Sequence, residues 1–256
     1  MHRGVFRGKD ADQQPKRILI LCESHHTNEH TDVIAGKAAS YPTAAVVEND
    51  YLNNSGEAKD YRNYMLFEKI EKAFSFQSEE HRQFWDRVYF GNYIPVLCGV
   101  GDDTAKKTIN KEGNRVKYNN ELFEFIVEHS IDVVFCFSRL VFNNLPKGAP
   151  GDESEIVECG KIRSCRDYIS IYKYCARTPH GAVSIELEKP LAVYGMRHPS
   201  ARGGFRPENY AGYLKNMLSS TRLEARVPSH GSGAMTRSPS PLAWRPDFPG
   251  APREAH

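Results

Sequence analysis

The sequence lacks the patterns that define several common classes of protein. Its six cysteines include no CxxC pair, and those beside apolar runs fit small buried hydrophobic residues in a reducing compartment. It has no N-terminal apolar stretch typical of a secretory signal. No apolar run approaches the roughly 20 residues that a membrane helix needs. No internal repeat is visible. We therefore expect a cytoplasmic protein without a membrane segment.

The chain also lacks a strong excess of charge of either sign. It carries 34 basic and 32 acidic residues, which gives a net charge of +2. A protein with this balance that binds nucleic acid must use a local basic patch.

The length and the changes in composition predict one domain with two appendages. A chain of 256 residues is long enough to bury a substantial core. Residues 1–16 are polar without periodicity, so we expect them to be disordered. Residues 222–256 are rich in Pro, Ser, Gly and Arg and cannot build a core, so we expect a disordered tail. The folded domain is then residues 17–221.

Apolar runs that alternate with amphipathic segments predict an α/β fold with a mainly parallel sheet. The clearest buried strand is Ile131–Phe137, whose sequence is IDVVFCF. Apolar residues at spacings of three and four predict helices over 60–74 and 116–129. The segments 167–175 and 182–188 alternate partly in strand fashion and predict a β-hairpin before the last core strand.

Three stretches place polar side chains where predicted strands end. Arg17–His26 reads RILILCESHH, Val88–Pro95 reads VYFGNYIP, and Leu191–Phe205 reads LAVYGMRHPSARGGF. Loops at the carboxyl ends of parallel strands are where open α/β sheets place their chemistry.

These stretches resemble, in the same order, the motifs of the uracil-DNA glycosylase superfamily. CESHH resembles the first active-site motif, VYFGNYIP the strand that reads the flipped base, and HPSAR the last motif, of the HPS type. The resemblance implies a three-layer α/β/α sandwich around four mainly parallel strands, with the active site where the strands end. It implies a monofunctional DNA glycosylase that hydrolyses the N-glycosidic bond of a flipped base and leaves an abasic site.

The resemblance assigns a role to individual residues. His198 matches the histidine that stabilises the departing base anion, and Ser200 matches the serine that contacts DNA phosphate. Arg202 stands at the position of the wedge that fills the gap in the base stack. Asn92 matches the base-reading asparagine, because an amide donates and accepts hydrogen bonds at once. Tyr41, in the segment after the first motif, is the candidate aromatic that stacks on the base.

The first motif departs from the pattern of the superfamily. Cys22 replaces a Gly, Ser24 takes the Asp, Asn or Ala position, and His25 takes the Pro position. A serine does not replace an aspartate as the group that orients water, so Glu23 is a candidate for that role. We therefore count Glu23, Ser24, His25 and His198 as catalytic candidates.

These departures bear on the substrate and on cofactors. A histidine in place of the Pro and a long following loop favour a base larger than uracil, such as the modified pyrimidines of phage DNA. Uracil repair and phage defence both stay open. The early cysteine pair of the iron–sulfur members is missing, so we expect no cluster and no other cofactor. DNA is the expected partner, and we expect a monomer.

Two alternatives from other functional classes use the same residues. Cys22, His25, His26 and His30 form a cluster in which His26 and His30 are four apart. On a helix that spacing puts two imidazoles on one face, as in zinc hydrolases. A DNA-binding module without catalysis is the third possibility, because the first motif is unusual.

Overall fold

The sheet organises the protein and runs through its middle. The computed structural model describes residues 4–26, 43, 46–52, 61–75, 81–98, 104–146, 157–163, 168–176, 185, 187, 191–200 and 205–220. Within these residues the strands are β1 Phe6–Arg7, β2 Ile18–Cys22, β3 His25–His26, β4 Tyr89–Asn92, β5 Leu97–Cys98, β6 Val133–Cys136, β7 Val157–Arg163, β8 Tyr168–Ala176 and β9 Leu191–Gly195.

Seven of these strands form one sheet in the order β1-β4-β2-β6-β9-β8-β7. The central strands β4, β2, β6 and β9 are parallel to one another. The outer strands β1, β8 and β7, of which β1 and β7 form the edges, are antiparallel to their neighbours. Strands β3 and β5 form a separate two-stranded parallel sheet. The α/β class and the mainly parallel sheet predicted from the sequence are confirmed.

Helices cover both faces of this sheet. Within the described residues they are α1 Tyr61–Ala73, α2 His81–Trp85, α3 Thr104–Asn110, α4 Asn114–Glu128, α5 Arg139–Asn144 and α6 Pro207–Ser220. Buried residues of α1, α2 and α6 share one core cluster, and those of α3, α4 and α5 share the other. This arrangement is compatible with three layers. None of the helices in the described part of the chain is long and apolar enough to cross a membrane.

The alternation of side chains along β2 explains why both faces are buried. Ile20 and Cys22 belong to one core cluster, whereas Leu19 and Leu21 belong to the other. Successive residues of a strand point to opposite faces, so a strand covered on both sides must be apolar throughout. The continuous apolar run before Glu23 therefore specifies a central strand.

A buried carboxylate in the first cluster ties three segments together. The Oε1 atom of Glu71 accepts hydrogen bonds from the Tyr51 hydroxyl and the Trp85 indole N–H, both at 2.5 Å. Glu71 lies in α1, Trp85 ends α2, and Tyr51 lies in the π-helical segment Val46–Leu52. These bonds hold the segment Val46–Leu52 against helices α1 and α2.

Two predictions from the sequence are wrong. We predicted that residues 1–16 are disordered, but the chain is structured from residue 4 onward. Strand β1 pairs with β4, and Phe6 is buried against Trp85. The predicted hairpin partner 182–188 is also wrong, because the two neighbours of β8 in the sheet are β7, Val157–Arg163, and β9. The antiparallel pair of β7 and β8 extends the central sheet beyond β9. The predicted tail 222–256 lies outside the described residues.

Candidate active site

Polar residues from four neighbouring strands lie at one edge of the sheet. Asn92 is the last residue of β4, Glu23 follows β2, Ser138 follows β6, and His198 follows β9. These four strands are adjacent and parallel, so their carboxyl ends share an edge. The three sequence stretches with candidate residues thus meet at the same side of the sheet. Ser138, at the end of β6, lies at this side as well.

The backbone at the end of β2 is held from both sides. The amide of Phe137 donates to the carbonyl of Leu21 at 2.8 Å, and the amide of Tyr93 donates to the carbonyl of Cys22 at 3.0 Å. The amide of Ile94 donates to the carbonyl of Glu23 at 3.0 Å. Pairing between neighbouring strands therefore continues as far as Glu23 and fixes the position from which its side chain extends.

The Glu23 carboxylate is paired with the side chain of Ser138. The Ser138 hydroxyl donates to Oε2 of Glu23 at 2.7 Å, and Ser138 is only 1% exposed. The same hydroxyl accepts a hydrogen bond from the amide of Val141 at 3.2 Å and so caps helix α5. Sequence reasoning missed Ser138 as a site residue, although its position directly after the clearest strand was the available signal.

Ser24 contacts the thiol of Cys98 in β5. Burial raises the pKa of Cys98, and hydrogen bonds with Ser24 and Thr108 lower it. The Ser24 hydroxyl is thus engaged with a buried thiol. For His25 the structure describes the strand but not the side chain, so its predicted catalytic role remains a prediction.

Asn92 lies in a buried and largely neutral environment. It is 4% exposed, and its amide nitrogen donates to the Thr43 hydroxyl at 3.4 Å. It is in register with Cys22 on the adjacent strand. Burial raises the pKa of the Cys22 thiol well above its ordinary value, so this neighbour is uncharged. The side-chain amide of Asn92 therefore lies in a low-dielectric environment, where water does not compete for its hydrogen bonds.

The loop after β9 fixes the tautomer of the neutral His198 ring. The amide of Ser200 donates to Nδ1 of His198 at 3.2 Å. A ring nitrogen that accepts a hydrogen bond carries no proton, so the neutral ring has its proton on Nε2 and donates from there. The Lys69 ammonium group on α1 donates to the carbonyl of Pro199 at 3.0 Å and ties this loop to the helix.

Two arginines at the same edge act on a buried tyrosine. Arg139 follows Ser138, and Arg197 precedes His198. Tyr210 on α6 is fully buried, and its hydroxyl has no hydrogen-bond partner among the described residues. Burial raises the pKa of Tyr210 to about 12, against the positive charges of Arg197 and Arg139. The arginines therefore place positive charge beside the loop that carries His198.

Several predicted site residues lie outside the described part of the chain. Tyr41, Arg202 and His30 are among them, and the side chain of His26 is not described. His26 lies in strand β3, whereas the helical spacing argument for a zinc site needs a helix at that position. Among the described residues, no three His, Cys, Asp or Glu side chains group as a metal site.

No protein-family model matches this chain, and no curated protein is detectably similar to it.

Proposed function

We propose that the protein is a monofunctional DNA glycosylase of the uracil-DNA glycosylase superfamily. One observation carries the proposal. Glu23, Asn92 and His198 come from three separate stretches that resemble the motifs of the superfamily, and they follow the first, second and fourth parallel strands at one edge of the sheet. The parallel core of four strands with helices on both faces supports a uracil-DNA-glycosylase-like fold.

The chemistry of base excision suits these three residues. A base inside duplex DNA must be flipped into a pocket before its glycosidic bond becomes accessible. The Asn92 amide reads the edge of the flipped base by donating and accepting hydrogen bonds. The Nε2–H of His198 donates to the base as negative charge develops on it, and Glu23 orients the attacking water.

Positive side chains near the site supply the local basic patch that a nearly neutral protein needs. The Lys69 ammonium group donates to the carbonyl of Pro199, Arg197 directly precedes His198, and Arg139 and Arg197 both act on Tyr210. They attract the phosphates of the DNA strand, which dominate the affinity of proteins for DNA. Within the same proposal, the enzyme acts as a cytoplasmic monomer, without a cofactor.

The substrate in this proposal is uracil or a modified pyrimidine. His25 replaces a Pro and the loop that follows is long, and neither feature suits a tight uracil pocket, which favours a bulkier base. Release of uracil would indicate repair, and release of a phage-type modified base would indicate defence against phage.

The test is a panel of labelled oligonucleotides with uracil or modified pyrimidines, followed by alkali cleavage at abasic sites. We expect cleavage for at least one base, and much less with His198→Ala. The control is Asn110→Ala, at an exposed amide on α3, which should leave excision unchanged. Tight DNA binding without any abasic site would instead identify a DNA-binding module.

A further inference from the structure

Ser138 and Glu23 are brought together by the register of two central strands. Leu21 in β2 is paired with Cys136 in β6, so the residues two positions further along each strand also face each other. The hydroxyl of Ser138 and Oε2 of Glu23 are 2.7 Å apart, although the residues are 115 positions apart in the sequence. The contact is therefore a product of the sheet.

Two hydrogen bonds fix the direction of the Ser138 hydroxyl. Its oxygen accepts from the amide of Val141 at 3.2 Å, which occupies one lone pair. A serine hydroxyl has a single hydrogen, and an ionised carboxylate only accepts. The hydrogen therefore points at Glu23, and the helix cap holds it there.

The surroundings of Glu23 make its hydrogen bond with the Ser138 hydroxyl important for the position of the carboxylate. Among the described residues Glu23 has no cationic partner, and its Oε1 atom has no hydrogen-bond partner. The titratable groups that act on it are the thiols of Cys22 in β2, Cys98 in β5 and Cys136 in β6. Burial raises the pKa of each thiol, so all three stay neutral near pH 7.

We infer that Ser138 is a positioning residue that holds the Glu23 carboxylate through Oε2 and turns its Oε1 atom toward the attacking water. This inference rests on the proposed glycosylase function. In the reaction, the water oxygen bonds to C1′ of the deoxyribose as the C1′–N bond breaks. The electron pair of that bond leaves with the base, and a proton of the water passes to Glu23. Ser138 touches neither substrate nor water and acts only through Glu23.

The variants Ser138→Ala and Ser138→Thr test this role. A hydrogen bond to a charged group is worth about 1.5–3 kcal/mol, so Ser138→Ala should lower kcat/KM roughly 10- to 100-fold. The loss should fall on kcat rather than KM, because the direction of the Glu23 carboxylate affects the attack of water and not the binding of DNA. Ser138→Thr keeps the hydroxyl and should restore kcat. An unchanged kcat in Ser138→Ala would reduce Ser138 to a helix cap.

A second measurement separates this inference from the proposed function. The carboxyl carbon of Glu23 can be observed by NMR at fixed pH in protein with ¹³C-labelled glutamate, with its signal assigned by its absence in Glu23→Gln. We expect its chemical shift to change in Ser138→Ala and to return in Ser138→Thr, because loss of the hydrogen bond alters the carboxylate. An unchanged chemical shift overturns the inference even in an active enzyme. A protein that excises no base refutes the proposed function, while this measurement still decides the role of Ser138.

Discussion

Replacing Gly195 by alanine should destabilise the protein through one contact. Gly195 ends β9, and a Cβ atom there would lie 2.4, 2.6 and 2.7 Å from three ring carbons of Phe142. Phe142 is 1% exposed in the second core cluster, so its ring has little space to move. Gly195 is not among the glycines with positive φ, so its backbone accepts alanine without strain. Overpacking of this kind costs about 1–3 kcal/mol of unfolding free energy.

Chemical denaturation of a double-mutant cycle measures this contact. Phe142→Ala alone should cost about 3–5 kcal/mol because it leaves a cavity. In that background Gly195→Ala should add less than about 0.5 kcal/mol, the scatter expected of sites that do not interact. Equal costs of Gly195→Ala in both backgrounds would refute the reasoning. His198 lies three residues after Gly195, so the single variant should also reduce excision.

Four further predictions follow from the site and the core. Asn92→Ala should abolish most excision with little change in folding or DNA affinity, whereas Asn110→Ala should match the wild type in the same assays. Arg202→Ala should impair activity on duplex DNA more than on single strands, since only the duplex leaves a gap to fill; equal losses would assign it to phosphate binding. Activity should survive EDTA, and complete loss with rescue by zinc would favour a metal-dependent hydrolase. Burial raises the pKa of Cys136 from 9.0 to about 12, so the folded state keeps a proton that the unfolded chain loses. The resulting stability is complete below pH 9.0 and is lost as the pH rises toward 12, so Cys136→Ala should flatten the fall of unfolding free energy in that range.

The centre of the fold was predictable because its strands are buried on both faces. Such strands are apolar throughout, and the runs that became β2 and β6 stand out against the polar segments around them. The strands at the edges of the sheet have no such apolar run. Strand β1 has two residues, and only its pairing with β4 and the packing of Phe6 on Trp85 specify it.

The pairing of β8 and the contacts of the site could be predicted from the sequence only in part. Alternating residues flank β8 on both sides, so the sequence could not decide whether β7 or the later segment is its partner. The edge that gathers the polar residues was predictable, because parallel strands end at the same side. The bond between Glu23 and Ser138 was not, since it depends on the register of strands far apart in the sequence.

The products formed from substrate DNA test the central claim most directly. Mass spectrometry should detect a free base, together with a DNA strand whose abasic deoxyribose carries ¹⁸O when the reaction is run in H₂¹⁸O. The amount of free base should fall sharply with His198→Ala. Release of the base still attached to its sugar or phosphate, or no free base from any DNA tested, would contradict the account.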